Sequence, residues 1–232
     1  MVKKYLKVVF FGIVLFLASY LSIAALWANS VVEELLQNTP SAHQEVEIQP
    51  QHLKALVKIE DPAFYDHNGL NISNGQGLTT ITSVVARDLF LYHQDLVGVK
   101  GSFQSFYKAV FNCCKKIDLG RDIMAVVLNS HATKQQQLNL FINNTYWGTM
   151  EGSSVIGMQA AAMAYYAKEA SQLTDDEFYG LIAMPIAPNY YHPVSNPEAH
   201  AKRVQRIKAI VSGQCSASGW FDLTYEHCAT GA

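Results

Sequence analysis

Between Val8 and Trp27 the chain reads VVFFGIVLFLASYLSIAALW, twenty residues without a charge. At about 1.5 Å per residue, a helix of that length just crosses a hydrocarbon core of about 30 Å. In lipid a helix is the one single-segment structure that satisfies all of its own backbone groups, so the span can fold in one way. Lys3, Lys4 and Lys7 precede it and no Lys or Arg follows until Lys54. The positive-inside rule therefore keeps residues 1–7 in the cytoplasm and carries the rest across. A cleaved signal peptide would have an apolar core of about 7 to 15 residues, so residues 8–27 are expected to stay as an anchor, with Tyr5 and Trp27 near its two interfaces.

With 232 residues, half of them apolar, the chain has room beyond the anchor for one domain of ordinary size. Its 17 basic and 19 acidic residues nearly balance, with no basic run after the first residues, which excludes a nucleic-acid partner. Val31, Val32, Leu35 and Leu36 suggest a short helix ended by Thr39-Pro40-Ser41, so residues 28–45 read as a stalk. Residues 46–213 then form the domain and residues 214–232 a tail.

The densest chemistry lies in Ile59-Glu-Asp-Pro-Ala-Phe-Tyr-Asp-His-Asn-Gly69. A helix carrying Leu53, Leu56 and Val57 runs into a proline and a glycine turn, leaving Glu60 and Asp61 at a helix end. There they can simply cap the turn, or be half-buried with pKa values raised toward that of a general base. The string E-D-x-x-F-x-x-H-x-G is complete, and it resembles the first motif of glycosyltransferase family 51. That family comprises the peptidoglycan polymerases, including the transglycosylase domain of class A penicillin-binding proteins.

The resemblance runs from about Val46 to Val211 and weakens in places. The family's second motif, G-x-S-T-I-T-Q-Q-L-x-K-N, is met at Gly77, Thr79, Thr80, Ile81, Thr82 and Arg87. Ser83 and Val84 stand for its two Gln, and Asp88 for its Asn. Its third motif, R-K-x-x-E-x-x-x-A-x-x-L-E, supplies a second catalytic Glu; the register set by Ala125, Leu128 and Thr133-Lys134 puts Arg121 there and Asn129 at the terminal acid. Asp118 and Asp122 flank that gap as surrogate acids. Downstream, Asn139 to Gly148, Gly157 to Lys168 and Pro188 to Pro193 follow the family pattern. Thr174-Asp-Asp-Glu177 reads as a capping box, and Asn196-Pro197 opens the last helix.

Phe103, Phe106, Tyr107, Val110 and Phe111 line one helical face, opposed by Gln104, Ser105, Lys108 and Asn112. That face either packs in the core or lies on a membrane surface, as the family's jaw-like segment would suggest. Ser105-Phe-Tyr-Lys108 imitates the S-x-x-K of penicillin-binding acyl enzymes, but no K-[ST]-G accompanies it. Across a bacterial membrane Cys215 and Cys228 could close a loop, while vicinal Cys113 and Cys114 are poor partners for each other. No His or Cys spacing suggests zinc.

The resemblance implies an all-α fold with a lysozyme-like core, agreeing with the helical periodicity of the chain. It implies polymerisation of lipid-linked disaccharide (lipid II) into glycan on the periplasmic side of the inner membrane. Glu60 and Asp61 would be catalytic. Phe64, His67, Thr80, Thr82, Arg87, Lys115, Lys116 and Arg121 would shape the site and hold the diphosphate, with room for a divalent cation, Mg or Mn. The expected partners are lipid II, nascent glycan, membrane lipid and other wall-synthesis proteins. Because the second Glu is missing, a catalytically impaired relative that binds lipid II or such proteins is the alternative. A glycan-cleaving enzyme using Glu60 as acid is a third, disfavoured by the phosphate-holding residues.

Overall fold

A computed structural model describes residues 2–71, 79–113 and 118–229. They form a mostly helical body with a single two-stranded hairpin among the described residues, and one N-terminal helix long and apolar enough to cross a membrane.

Helix α1 runs unbroken over Val2–Gln37, so the span and the first half of the expected stalk are one rod of about 54 Å. Its character changes along its length. Leu15 and Phe16 are 68% and 74% exposed, whereas Ala28, Val31, Val32 and Leu35 are wholly buried. The apolar spacing seen in the sequence is thus a docking face, laid chiefly against α5 (Leu119–His131). Ala24, Trp27, Ala28, Val31, Val32, Leu35 and Leu36 belong to the core of the domain, so the first half of the expected stalk packs against the body.

Helix α2 (Pro50–Glu60) starts with proline at its first position and buries Leu56, Val57 and Ile59. Helix α3 (Ile81–Arg87) opens on a reciprocal capping box between Thr80 and Ser83, then widens into a π-turn over Asp88–Tyr92. Helix α4 (Gly98–Cys113) crosses α1, where Tyr107 packs on Tyr20 and Trp27 at 5.7 and 5.3 Å between ring centroids.

The face assigned to α4 divides. Tyr107 is 2% exposed, while Phe103 and Phe106 look outward beside Phe16 and Ile23 of α1, bounding an apolar groove of ≈ 390 Å³. Gln104, placed on the polar face by periodicity, is buried. Its amide donates to the carbonyls of Phe90 and Gln94 and its oxygen accepts from Leu96 N–H, tying the π-turn to α4.

Helices α5 and α6 (Lys134–Asn144) lead to the hairpin of β1 (Tyr146–Met150) and β2 (Ser153–Ile156). Its turn holds Glu151 and Gly152 at φ 51° and 81°, the positive pair that a tight twisted hairpin demands. Helix α7 (Met158–Tyr166) follows. Helix α8 (Asp175–Ile182) opens on the expected Thr174–Glu177 capping box. Helix α9 (Pro197–Val211) closes the body, burying Arg203, Ile207 and Ile210. The segment after it does not trail away: Cys215 and Cys228 form a disulfide, and Tyr225 is 2% exposed.

Candidate active site

The acidic motif folds as a scaffold around one outward acid. At the end of α2 the backbone leaves the helix at Asp61, whose own N–H still bonds Val57 O. The Asp61 carboxylate is fully buried. It accepts from the backbone N–H of Ile81, the first residue of α3, and from His67 Nε2, each at 2.9 Å. Because His67 Nδ1 accepts from Gly69 N–H, its proton sits on Nε2 and points at Asp61. Lys134 braces the loop by donating to His67 O and lying 4.6 Å from the Phe64 ring centre. Gly69 is required where it is: at φ 105°, an added Cβ would lie 2.7 Å from Ala125 O on α5.

Glu60 alone of the motif's conserved-looking letters lines the adjoining cavity of ≈ 670 Å³. Arg87 at the end of α3, Asp88 at the start of the π-turn, Asn144 at the end of α6, Tyr146 at the start of β1 and Arg203 from α9 share its wall. Burial raises the Glu60 carboxyl from 4.5 to about 7, with Arg203 opposing the rise and Asp61 adding to it. Burial also raises Asp88, against the pull of His93, Arg87 and a hydrogen bond with Asn144. The Arg87 guanidinium is 5.6 Å from the Phe111 ring centre, and its pKa is lowered, mainly by burial.

Several expected site residues are employed otherwise. Asp61, expected to be catalytic, positions α3 and His67 and is absent from the cavity wall. The Thr80 hydroxyl donates to Gly69 O at 2.7 Å while accepting from Ser83 N–H, and the Thr82 hydroxyl donates to Gln137 Oε1 at 2.7 Å. Both are buried, and their hydroxyls are engaged within the fold. Phe64 and His67 likewise build the loop behind Glu60. Gly77, Lys115 and Lys116 lie outside the described residues.

The two acids that flank Arg121 are engaged within the fold as well. Asp118 caps α5 by accepting from Gly120 and Arg121 N–H, and Asp122 binds Arg121 Nε and Nη2 at 3.0 and 2.6 Å. Neither lines the cavity, nor does Arg121, which is 4% exposed. The second carboxylate that does face the cavity is Asp88, which sequence reasoning noted only as a replacement for Asn.

Arg203 was also missed, though its spacing carried a signal: it stands four residues before Ile207 on the buried stripe of α9. A guanidinium on an apolar face must find partners. Its Nη1 donates to Leu223 O at 2.7 Å, and it lies 5.0 and 5.9 Å from the ring centres of Tyr225 and Tyr191. Its Nε is buried with no hydrogen-bond partner among the described residues.

The cavity fits a dedicated metal site poorly. Glu60 and Asp88 are its carboxylates among the described residues, each beside an arginine that already supplies positive charge. Elsewhere Cys215, His227 and Cys228 are close enough to share an ion, but the two sulfurs are bonded to each other. The arrangement can take a proton at Glu60 and hold an anion beside Arg87.

Residues 29–211 match the model of a family described as Transglycosylase. Penicillin-binding protein 1A of Streptococcus pneumoniae (strain ATCC BAA-255 / R6) is 31% identical over 192 residues, 80% of this chain and 25% of that protein. Penicillin-binding protein 1A of Streptococcus oralis is 32% identical over 177 residues, 74% and 26% of the two chains. Penicillin-binding protein 1F of Bacillus subtilis (strain 168) is 28% identical over 182 residues, 72% and 22%. The chain spans about a quarter of the length of these curated relatives.

Proposed function

The chain belongs to the transglycosylase family, and from that premise we propose that it is a peptidoglycan glycosyltransferase extending glycan from lipid-linked disaccharide (lipid II). The observation that carries the reading is Glu60: a carboxyl raised to about 7 in a cavity that also presents Arg87, Asp88 and Arg203. A base with that pKa is half ionised near neutral pH, where proton abstraction is most effective. Glu60 takes the proton of the acceptor's 4-hydroxyl as its oxygen bonds to the anomeric carbon of the donor. The bond from that carbon to the lipid diphosphate breaks, with inversion. Arg87, on the same cavity wall, receives the charge that develops on the departing diphosphate, a role a planar guanidinium suits by paired donation, while Arg203 stays beside Glu60. Asp88 takes the part of the second carboxylate and stabilises positive charge at the anomeric carbon. No step is assigned to a divalent cation.

Helix α1 anchors the enzyme in the cytoplasmic membrane with the domain outside, on the evidence of Lys3, Lys4 and Lys7 before an uncharged span. Nascent glycan, membrane lipid and other wall-synthesis proteins are its partners. One observation favours a second reading: Arg121 occupies the family's second Glu position and is locked to Asp122 outside the cavity. On that reading the domain binds lipid II without polymerising it.

Full-length protein in detergent, given labelled lipid-linked disaccharide, separates the two. Polymer from the wild type, none from Glu60→Gln and about 10²-fold less from Asp88→Asn are expected. Binding without polymer decides for the non-catalytic relative, and polymerisation indifferent to Glu60→Gln overturns both.

A further inference from the structure

The family match ends at Val211, yet the residues beyond it reach the catalytic wall. Leu223 lines the cavity, and its carbonyl accepts from Arg203 at 2.7 Å. Thr224 O accepts from the neighbouring Arg206 at 3.4 Å, and the Tyr225 ring covers the Arg203 guanidinium. Tyr225 stands at φ 51°, the left-handed region, which a bulky residue holds only where its surroundings over-determine it. Here they do. Asp222 accepts from Ser218 N–H and hydroxyl with one oxygen and from Tyr225 N–H with the other, and Cys228 N–H donates to Tyr225 O. The Cys215–Cys228 disulfide then ties the far end of this turn to the residues just after α9.

We propose that the disulfide-closed segment Cys215–Cys228 is a positioning element of the active site, which clamps Arg203 beside Glu60. Leu223 and Tyr225 are its contact residues, and they act through Arg203. The inference rests on Glu60 being the base of the proposed reaction. The charged and titratable groups facing Glu60 are Arg203 from α9, Asp61 beside it, and Tyr225 from the segment, with Arg87 and Asp88 on the same cavity wall.

Burial drives Glu60 up and Arg203 draws it back, so releasing Arg203 leaves burial opposed by less. A carboxyl pushed further up is less ionised at neutral pH, so activity falls there and recovers at high pH, where the group is fully ionised in either state.

The test opens the disulfide in two ways in full-length protein in detergent: by the double variant Cys215→Ser/Cys228→Ser, and by dithiothreitol on folded wild type. In the latter the S–S bond breaks, two thiols form, and the dithiol gives up two electrons and two protons to become a cyclic disulfide. Polymerisation is followed from pH 5.5 to 9.5, and the urea midpoint of unfolding over the same range. The expected result is an acid limb displaced upward with the high-pH rate kept, and a matching upward displacement of the pH at which the unfolding midpoint levels off. Equal loss at every pH, or unchanged profiles, overturns the clamp. If the double variant does not fold, the reduced protein gives the answer. If disulfide-intact protein makes no polymer, the reading of Glu60 as base fails, while the unfolding midpoints still decide whether the segment tunes that carboxyl.

Discussion

Replacing Glu60 by Gln should stabilise the protein at alkaline pH while removing its activity. The carboxyl stands at about 7 in the folded chain against 4.5 for an unburied group, because burial penalises the charged form more than Arg203 favours it. Between those values the folded chain holds a proton that the unfolded chain has released, so folding stability falls as pH rises from about 4.5 to about 7, and stays low above. A displacement of about 2.5 pH units at ~1.36 kcal/mol each makes the full effect about 3 kcal/mol. Gln keeps the shape and carries no charge, so its curve should lack this component. Urea unfolding of wild type and variant in detergent at pH 5 and pH 8.5 measures it. The variant should gain about 2 to 3 kcal/mol relative to wild type on going to the higher pH. A wild-type-to-variant difference equal at both pH values would refute the account of a burial-raised carboxyl, whatever the enzyme does to its substrate.

Arg121→Glu, which restores the family's residue, should not raise the rate: it sets a carboxylate against the partly buried Asp122 and should cost about 3 to 5 kcal/mol, seen as an early urea midpoint. Phe103→Ser with Phe106→Ser should change the melting temperature little, because both rings face outward. Tyr107→Ser, which opens the α1–α4 contact, should lower the melting temperature by several degrees instead.

What the sequence disclosed is what is local in the chain. The uncharged span and the Thr174–Glu177 capping box each fold within their own few residues, so residue types and spacing determine them; the order Glu60 to Gly69 is legible as a motif, though Ile81 and Lys134 hold it from afar. Periodicity marked Val31, Val32, Leu35 and Leu36 as a buried face, but their partner, α5, begins more than eighty residues later, and spacing cannot say what covers a face. The hydroxyls of Thr80 and Thr82 look like phosphate ligands in a glycine-rich context, and only the approach of Gly69 and Gln137 shows them engaged. Arg203 and the segment around Tyr225 reach Glu60 from the far end of the chain. The hairpin was passed over because its strands hold five and four residues, although Glu151-Gly152 between them is a legible turn.

The unbroken course of α1 sets the mechanics of the whole molecule. A span joined to its domain by a loose linker lets the domain swivel above the bilayer, whereas here one rod is lipid-facing below and core above. Whatever inclination the bilayer imposes on the lower half through its thickness, the domain inherits, since bending would have to break main-chain bonds in mid-helix. On the proposed anchoring and substrate, the domain and its cavity move with α1 as one body, so a disaccharide carried on a lipid tail comes to the cavity rather than the cavity to it.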